Sequence, residues 1–165
     1  SSKNITVYCS KEGEGKINTI GDLAFPNSFK EACIATNIKY ISDDEFSIND
    51  YKITKLLVDH GRMKPAYGYI FQKDNIFVGF TGDTALCQNV EIMAQKCSYL
   101  FCDCMLLTGT VKHQGIDNLE YLASKYQNCT FIVSHLEDVT RDKLKELNIS
   151  NIIVPEDYQT LIIDK

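Results

Sequence analysis

Three side chains that can bind a metal ion each follow an apolar run typical of a β-strand. His60 comes after residues 51–59 (YKITKLLVD), Asp83 after 76–82 (IFVGFTG) and His135 after 130–134 (TFIVS). Sites in α/β sheets form at the carboxyl ends of strands, so we expect these three side chains to converge. Imidazole and carboxylate are suitable ligands for zinc, manganese or iron, and a carboxylate can also bridge two ions.

Each of the three residues also has an ordinary structural explanation. Asp83 equally fits the N-cap of the helix that follows it. His60 equally fits a hydrogen-bonded surface histidine, and His135 a cap for the turn at 136–138. The chain has only three histidines, and two of them end apolar strands. Their placement beside Asp83 favours a metal site without deciding it.

Two further residues have side chains suited to such a site. His113 lies in the loop KHQGIDN before a predicted helix, where it fits a general acid, a phosphate ligand or a solvated histidine. Asp103 ends a buried strand between Cys102 and Cys104, and a buried carboxylate needs partners. It either hydrogen-bonds a metal-binding histidine or accepts backbone N–H groups. The cysteine pair alone lacks the second pair of a zinc finger.

The hydrophobic pattern predicts elements that alternate between strand and helix in the second half and include an antiparallel hairpin in the first. The predicted strands are 5–8, 39–41, 51–59, 67–72, 76–81, 99–104, 129–134 and 152–154, with 160–163 at an edge. The predicted helices are 16–22, 28–36, 87–97, 116–126 and 140–147, with Ser28 and Glu31 predicted to form a capping box at the start of the second. Residues 10–15 are predicted as a turn. The fold class is therefore α/β, in layers, and residues 1–165 are predicted to form a single domain.

Composition restricts the partners. The chain of 165 residues has a net charge of −5, which argues against non-specific binding to a nucleic-acid backbone but permits a small phosphate ester. No apolar run approaches the roughly 20 residues of a membrane span. The seven cysteines are scattered through apolar segments, which predicts reduced thiols and a cytoplasmic protein.

Five segments, in order, resemble the metallo-β-lactamase fold, in particular the tRNase Z and cyclic-phosphodiesterase branch. They are HGRMKPAYGY at 60–69, FTGDT at 80–84, LFCDC at 100–104, the loop His113, and Ser134-His135 after an apolar strand. The resemblance extends over residues 5–157, and the ordered set is more specific than any one segment.

The resemblance implies an αββα sandwich and a metal-dependent hydrolase acting on a phosphodiester in a nucleotide or small cyclic phosphate. By analogy, His60 and His135 are each ligands of one metal ion and Asp83 bridges two. His113 and Asp83 are catalytic, with His113 contacting the phosphate or protonating the leaving oxygen, and Asp103 supports a ligand. Two divalent ions, zinc first and manganese or iron as alternatives, would activate water. Hydrolysis of a thioester or other ester is an alternative within the same fold.

One departure from the family pattern is large. The family signature H-x-H-x-D-H, which supplies four ligands, is absent from this sequence. The chain is therefore expected to be the later part of the domain and to be inactive alone. An N-terminal half or a second subunit would then supply the missing ligands. The alternative is a non-catalytic binding or assembly module, and in either case we expect a homo-oligomer, because a partial fold exposes apolar edges and faces.

Overall fold

The computed structural model describes residues 4–163, and its backbone divides into two compact units. The first unit ends at Phe46 and the second begins at Ser47. The first unit contains the parallel strands β1 (Ile5–Tyr8) and β2 (Ile38–Ile41) and the helices α1 (Lys11–Ala24) and α2 (Ser28–Ala35). The single domain predicted for the whole chain stays a prediction.

A seven-stranded sheet provides the framework for the chemistry-bearing residues. In spatial order its strands are β3 (Glu45–Ile48), β4 (Tyr51–Val58), β5 (Ala66–Lys73), β6 (Ile76–Phe80), β7 (Tyr99–Asp103), β8 (Thr130–Ser134) and β9 (Ile152–Ile153). Its helices are α3 (Gln88–Lys96), α4 (Ile116–Lys125) and α5 (Asp138–Leu147). The predicted mixed α/β class is confirmed.

Strand direction brings four strand ends to one edge of the sheet. β4, β5 and β6 are antiparallel neighbours, while β6 to β9 are parallel. Consequently β4 runs in the same direction as β6, β7 and β8, and all four end at the same edge. Asp103 at the end of β7 is in register with Ser134 at the end of β8. The residues that follow these strands are therefore neighbours although they are far apart in sequence.

Helices α3 and α4 bury one face of this sheet. Their buried residues are Val90, Met93 and Ala94 of α3 and Ile116, Leu119, Leu122 and Ala123 of α4. They belong to one apolar cluster with Leu100, Phe131 and Val133 of the central strands. Burial of this kind contributes about 25 cal/mol per Å² of apolar surface and fixes the strand ends on a rigid base. No helix within residues 4–163 is long and apolar enough to cross a membrane.

Three local predictions are wrong. The turn predicted at 10–15 is the start of α1, whose N-cap Ser10 accepts a hydrogen bond from the Gly13 backbone at 2.9 Å. Helix α2 is capped by Asn27, without a side-chain bond, rather than by a Ser28 capping box. Residues 160–163 are not a strand.

The cysteines are reduced, and four of them are buried: Cys97, Cys102, Cys104 and Cys129. Burial raises the pKa of Cys97, Cys104 and Cys129 to about 12, and it raises the pKa of Cys102 well above the usual value. A raised pKa keeps a thiol neutral, and it is the thiolate that reacts. These four residues are therefore structural thiols with little reactivity in the folded state.

Iodoacetamide at pH 8 should label the native protein only at the partly exposed Cys9, Cys33 and Cys87. A shift of three pKa units lowers the thiolate population about 1,000-fold, and burial also limits access. Peptide mass spectrometry checks the pattern, with the urea-unfolded chain as control, where all seven should react. Native labelling of Cys102 as fast as that of Cys87 would contradict this assignment.

Candidate metal centre

Asp83 lies in the turn that ends β6. Gly82 has a φ of 62°, a left-handed conformation that glycine adopts at little cost, and it turns the chain immediately before Asp83. Helix α3 begins five residues later and its N-cap is Cys87, so Asp83 is not a helix cap. Its carboxylate is half exposed and points toward the edge of the sheet where β8 ends.

His135 directly follows β8 and faces Asp83. Its φ of 58° is unusual for a residue with a side chain and is found preferentially at functional sites. Its Nδ1 lies 3.3 Å from Asp83 Oδ1 and 3.6 Å from Asp103 Oδ1. The sheet thus brings together a carboxylate and an imidazole that are separated by 52 residues in sequence.

His113 is held by its own loop and by Asp103. Its backbone N–H donates to Thr110 Oγ1 at 3.2 Å, and its carbonyl accepts from the Thr110 N–H at 2.8 Å. Its Nδ1 lies 2.8 Å from Asp103 Oδ2. Because an ionised carboxylate only accepts hydrogen bonds, Nδ1 carries the proton, and Nε2 is left for a metal ion or a substrate. The ring lies edge-on to His135, with centroids 5.0 Å apart.

Asp103 is buried, at 2% exposure, beneath the exposed side chains at this edge of the sheet. Besides His113, its Oδ2 accepts the Thr84 N–H at 3.0 Å and its Oδ1 accepts the Met105 N–H at 3.2 Å. Both alternatives from the sequence, a histidine partner and backbone N–H donors, therefore occur together. These bonds offset the cost of burying a charge and leave the carboxylate with one fixed orientation.

His60 lies beside His113 but does not belong to the set of Asp83, His113 and His135. Its Nδ1 is 3.0 Å from the Lys112 carbonyl, to which it donates, and the two imidazole centroids are 4.9 Å apart. Gly61 allows this approach, since a Cβ there would lie 3.0 Å from Lys112 Cγ. The ligand role of His60 stays a prediction.

Within residues 4–163, one group of side chains could hold a metal ion. Asp83, His113 and His135 offer ligand atoms that lie within 4.8 Å of one another. Two imidazole nitrogens and one carboxylate oxygen form a donor set that fits zinc, and also manganese or iron. Cys102 and Cys104 are not in this group. The sequence placed His113 in a catalytic role only, and its position in a loop gave no signal that it would join two strand-end residues.

The sequence profile and the backbone identify relatives. The family model for "Anti-Pycsar protein Apyc1" matches residues 14–164. No curated protein matches the sequence significantly. Among solved structures, a diphosphatase from the PhnP family has 15% identity and a TM-score of 0.68, with 98% of this chain and 59% of that one covered.

Two further structures are similar. The metallo-β-lactamase fold protein YhfI from Bacillus subtilis has 16% identity and a TM-score of 0.63, with 90% of this chain and 61% of that one covered. Human tRNase Z, short form, has 12% identity and a TM-score of 0.64, with 100% and 69% covered. This chain thus spans about 59% to 69% of the length of these three relatives.

These likenesses confirm the resemblance inferred from the five sequence segments. They also confirm the predicted fold, since the same backbone occurs in a protein of that fold at a TM-score of 0.63. The chain has the metallo-β-lactamase fold and belongs to the Anti-Pycsar protein Apyc1 family.

Proposed function

We propose that this chain carries part of the active site of a metal-dependent hydrolase that cleaves a phosphodiester in a nucleotide or small cyclic phosphate. The observation that carries the proposal is the group of Asp83, His113 and His135, gathered at one sheet edge around the buried Asp103. Two imidazoles and a carboxylate, with one imidazole hydrogen-bonded to a buried carboxylate, form an arrangement typical of hydrolytic metal sites.

Two divalent ions, zinc first, are the proposed cofactors. Asp83 and His135 are the proposed ligands of one ion, and His60, together with Asp83, those of the other. The remaining ligands come from an N-terminal half or a second subunit outside this sequence. When bound, such ions supply an activated water molecule and neutralise charge on the phosphate oxygens.

His113 is the proposed general acid. Asp103 accepts the hydrogen bond from Nδ1 and so directs Nε2 away from the core. With Nδ1 held by this carboxylate, a protonated His113 can give its Nε2 proton to the departing oxygen of the substrate. His113 is only 16% exposed, so that proton is shielded from bulk water.

The loops beside the group carry positive charge although the chain as a whole has a net charge of −5. Arg62 and Lys64 follow His60, and Lys112 contacts it through its carbonyl and precedes His113. Lys64 lies 3.9 Å from Asp59, whereas Lys112 and Arg62 are exposed. Local positive charge supports an anionic substrate over a neutral ester.

The direct test is hydrolysis by the protein as encoded by its gene, with zinc or manganese added. We expect cleavage of 3′,5′-cyclic nucleotides and of bis(p-nitrophenyl) phosphate, little cleavage of p-nitrophenyl acetate, and loss of activity with EDTA. Faster cleavage of the acetate than of either phosphodiester would overturn the substrate class. The 165-residue chain alone is expected to be inactive.

A non-catalytic assembly role is the second candidate, and an exposed apolar cleft favours it. The cleft has a volume of about 510 Å³ and lies on β4, β5 and β6. Phe80 is 40% exposed there, between Phe71 and Phe101 at ring-centroid distances of 5.6 and 4.6 Å. Exposed aromatic clusters of this kind mark contact surfaces. A homo-oligomer measured by light scattering would support the assembly role, and a monomer would contradict it.

We also propose a cytoplasmic location. The seven free cysteines support it, because disulfides are rare in that reducing compartment.

A further inference from the structure

Thr84 is fully buried and joins three strand ends that carry the candidate site. It follows Asp83 directly, and its side chain faces the end of β4 rather than solvent. Its hydroxyl bonds to Asp59 and its backbone N–H bonds to Asp103.

The hydroxyl of Thr84 can both accept a hydrogen bond from the backbone of Asp59 and donate one to it. Asp59 is the residue before His60. Thr84 Oγ1 accepts from the Asp59 N–H at 3.1 Å. The single hydroxyl proton has two carbonyl acceptors, Asp59 at 3.0 Å and Ala85 at 2.8 Å. The Asp59 carbonyl also accepts the Ala85 N–H at 2.8 Å, so the two segments are bonded at adjacent positions.

The backbone of Thr84 makes the second connection. Its N–H donates to Asp103 Oδ2 at 3.0 Å, the same oxygen that accepts from His113. Asp103 is tied to the other side of the turn as well, because its own N–H donates to Thr81 Oγ1 at 3.1 Å. Thr81 is also fully buried. The turn that presents Asp83 is thus bracketed by two buried threonines.

We infer that Thr84 is a positioning residue: it fixes Asp83 relative to His60 through Asp59, and relative to His113 through Asp103. The inference rests on the proposed function, because it concerns the same metal site. Loss of the hydroxyl leaves the Asp59 N–H without its partner, and the end of β4 separates from the turn. The ligands then lose their preset geometry, although none of them has been changed.

The test compares Thr84→Val, which keeps the shape and removes the hydroxyl, with Thr84→Ser, which keeps the hydroxyl. Zinc affinity of the protein as encoded by its gene is measured by calorimetry. We expect affinity to fall about 10-fold or more in Thr84→Val, and to remain within about threefold of wild type in Thr84→Ser. Thr140→Val removes another fully buried hydroxyl, which donates to the Met105 carbonyl at 2.9 Å, and should leave zinc affinity unchanged.

The outcomes separate this inference from the proposed function. If wild type binds no zinc, the metal site itself is wrong. If wild type binds zinc and Thr84→Val binds it equally well, only the role of Thr84 is wrong. Equal losses in Thr84→Val and Thr140→Val would show a general effect of burial and would also overturn it.

Amide hydrogen exchange of the wild-type chain keeps the test decisive even if Thr84→Val fails to fold. The Asp59 and Thr84 amides should be protected, because they donate to Thr84 Oγ1 and Asp103 Oδ2. Exchange of the Asp59 amide as fast as that of an exposed loop amide would overturn the inference.

Discussion

Replacing Asp83 by asparagine is expected to abolish metal binding by this chain and to lower hydrolysis by the encoded protein at least about 100-fold. Asp83 is the one carboxylate among the three side chains that could hold a metal ion, and it lies 3.3 Å from His135. Asparagine keeps the size of the side chain but loses the charge, and its amide nitrogen cannot bind a cation. Calorimetric titration with zinc, together with a phosphodiester assay, measures both effects.

Asp142→Asn is the matched control for Asp83→Asn. Asp142 is exposed on α5 and is not in the metal-binding group, so its replacement should change neither property. Unchanged zinc affinity in Asp83→Asn would show that Asp83 is not a metal ligand. Because the Asp83 side chain is half exposed, we expect both variants to unfold at nearly the wild-type temperature.

Replacing Asp103 by alanine should destabilise the protein by about 3–5 kcal/mol, the usual cost of leaving the partners of a buried charge unpaired. The Thr84 and Met105 N–H groups and His113 Nδ1 would all lose their acceptor. Urea unfolding followed by circular dichroism measures the loss. Asp142→Ala, a surface replacement, should stay within about 0.5 kcal/mol of wild type.

Asp103→Asn separates the effect on the site from the effect on the fold. It keeps the volume of the side chain, but its amide group cannot accept at both of its ends. We expect a smaller loss of stability than for alanine and a zinc affinity about 10- to 100-fold lower, because the negative charge that lies 3.6 Å from His135 is lost. Wild-type zinc affinity in a folded Asp103→Asn protein would show that Asp103 serves the fold alone.

The sequence predicted the strand ends well because they depend on simple patterns. Apolar runs ended at His60, Asp83 and His135, and parallel strand direction brought their ends to one edge. The hydrogen bond between Asp103 and His113 was also among the expected alternatives, because a buried carboxylate must find a partner. These features follow from burial and periodicity, which a single sequence displays.

Other features depended on contacts between distant segments and could not be predicted. Nothing local marks His113 as a neighbour of Asp83, since a loop conformation places it there. Thr84 binds Asp59 across 25 residues, and a lone threonine gives no periodic signal. Strand β3 was missed because its sequence, EFSI, is short and follows an acidic run. The capping box predicted at Ser28 failed because Asn27 adopts a left-handed conformation, with φ of 67°, and takes the cap position.

The central claim is that Asp83 and His135 bind a divalent metal ion beside His113. Crystals of the protein as encoded by its gene, grown or soaked with zinc and measured at the zinc absorption edge, test it most directly. We predict an anomalous peak about 2.0–2.2 Å from a carboxylate oxygen of Asp83 and from an imidazole nitrogen of His135. The absence of a peak among these three side chains at saturating zinc, or a peak at the cysteines instead, would contradict it.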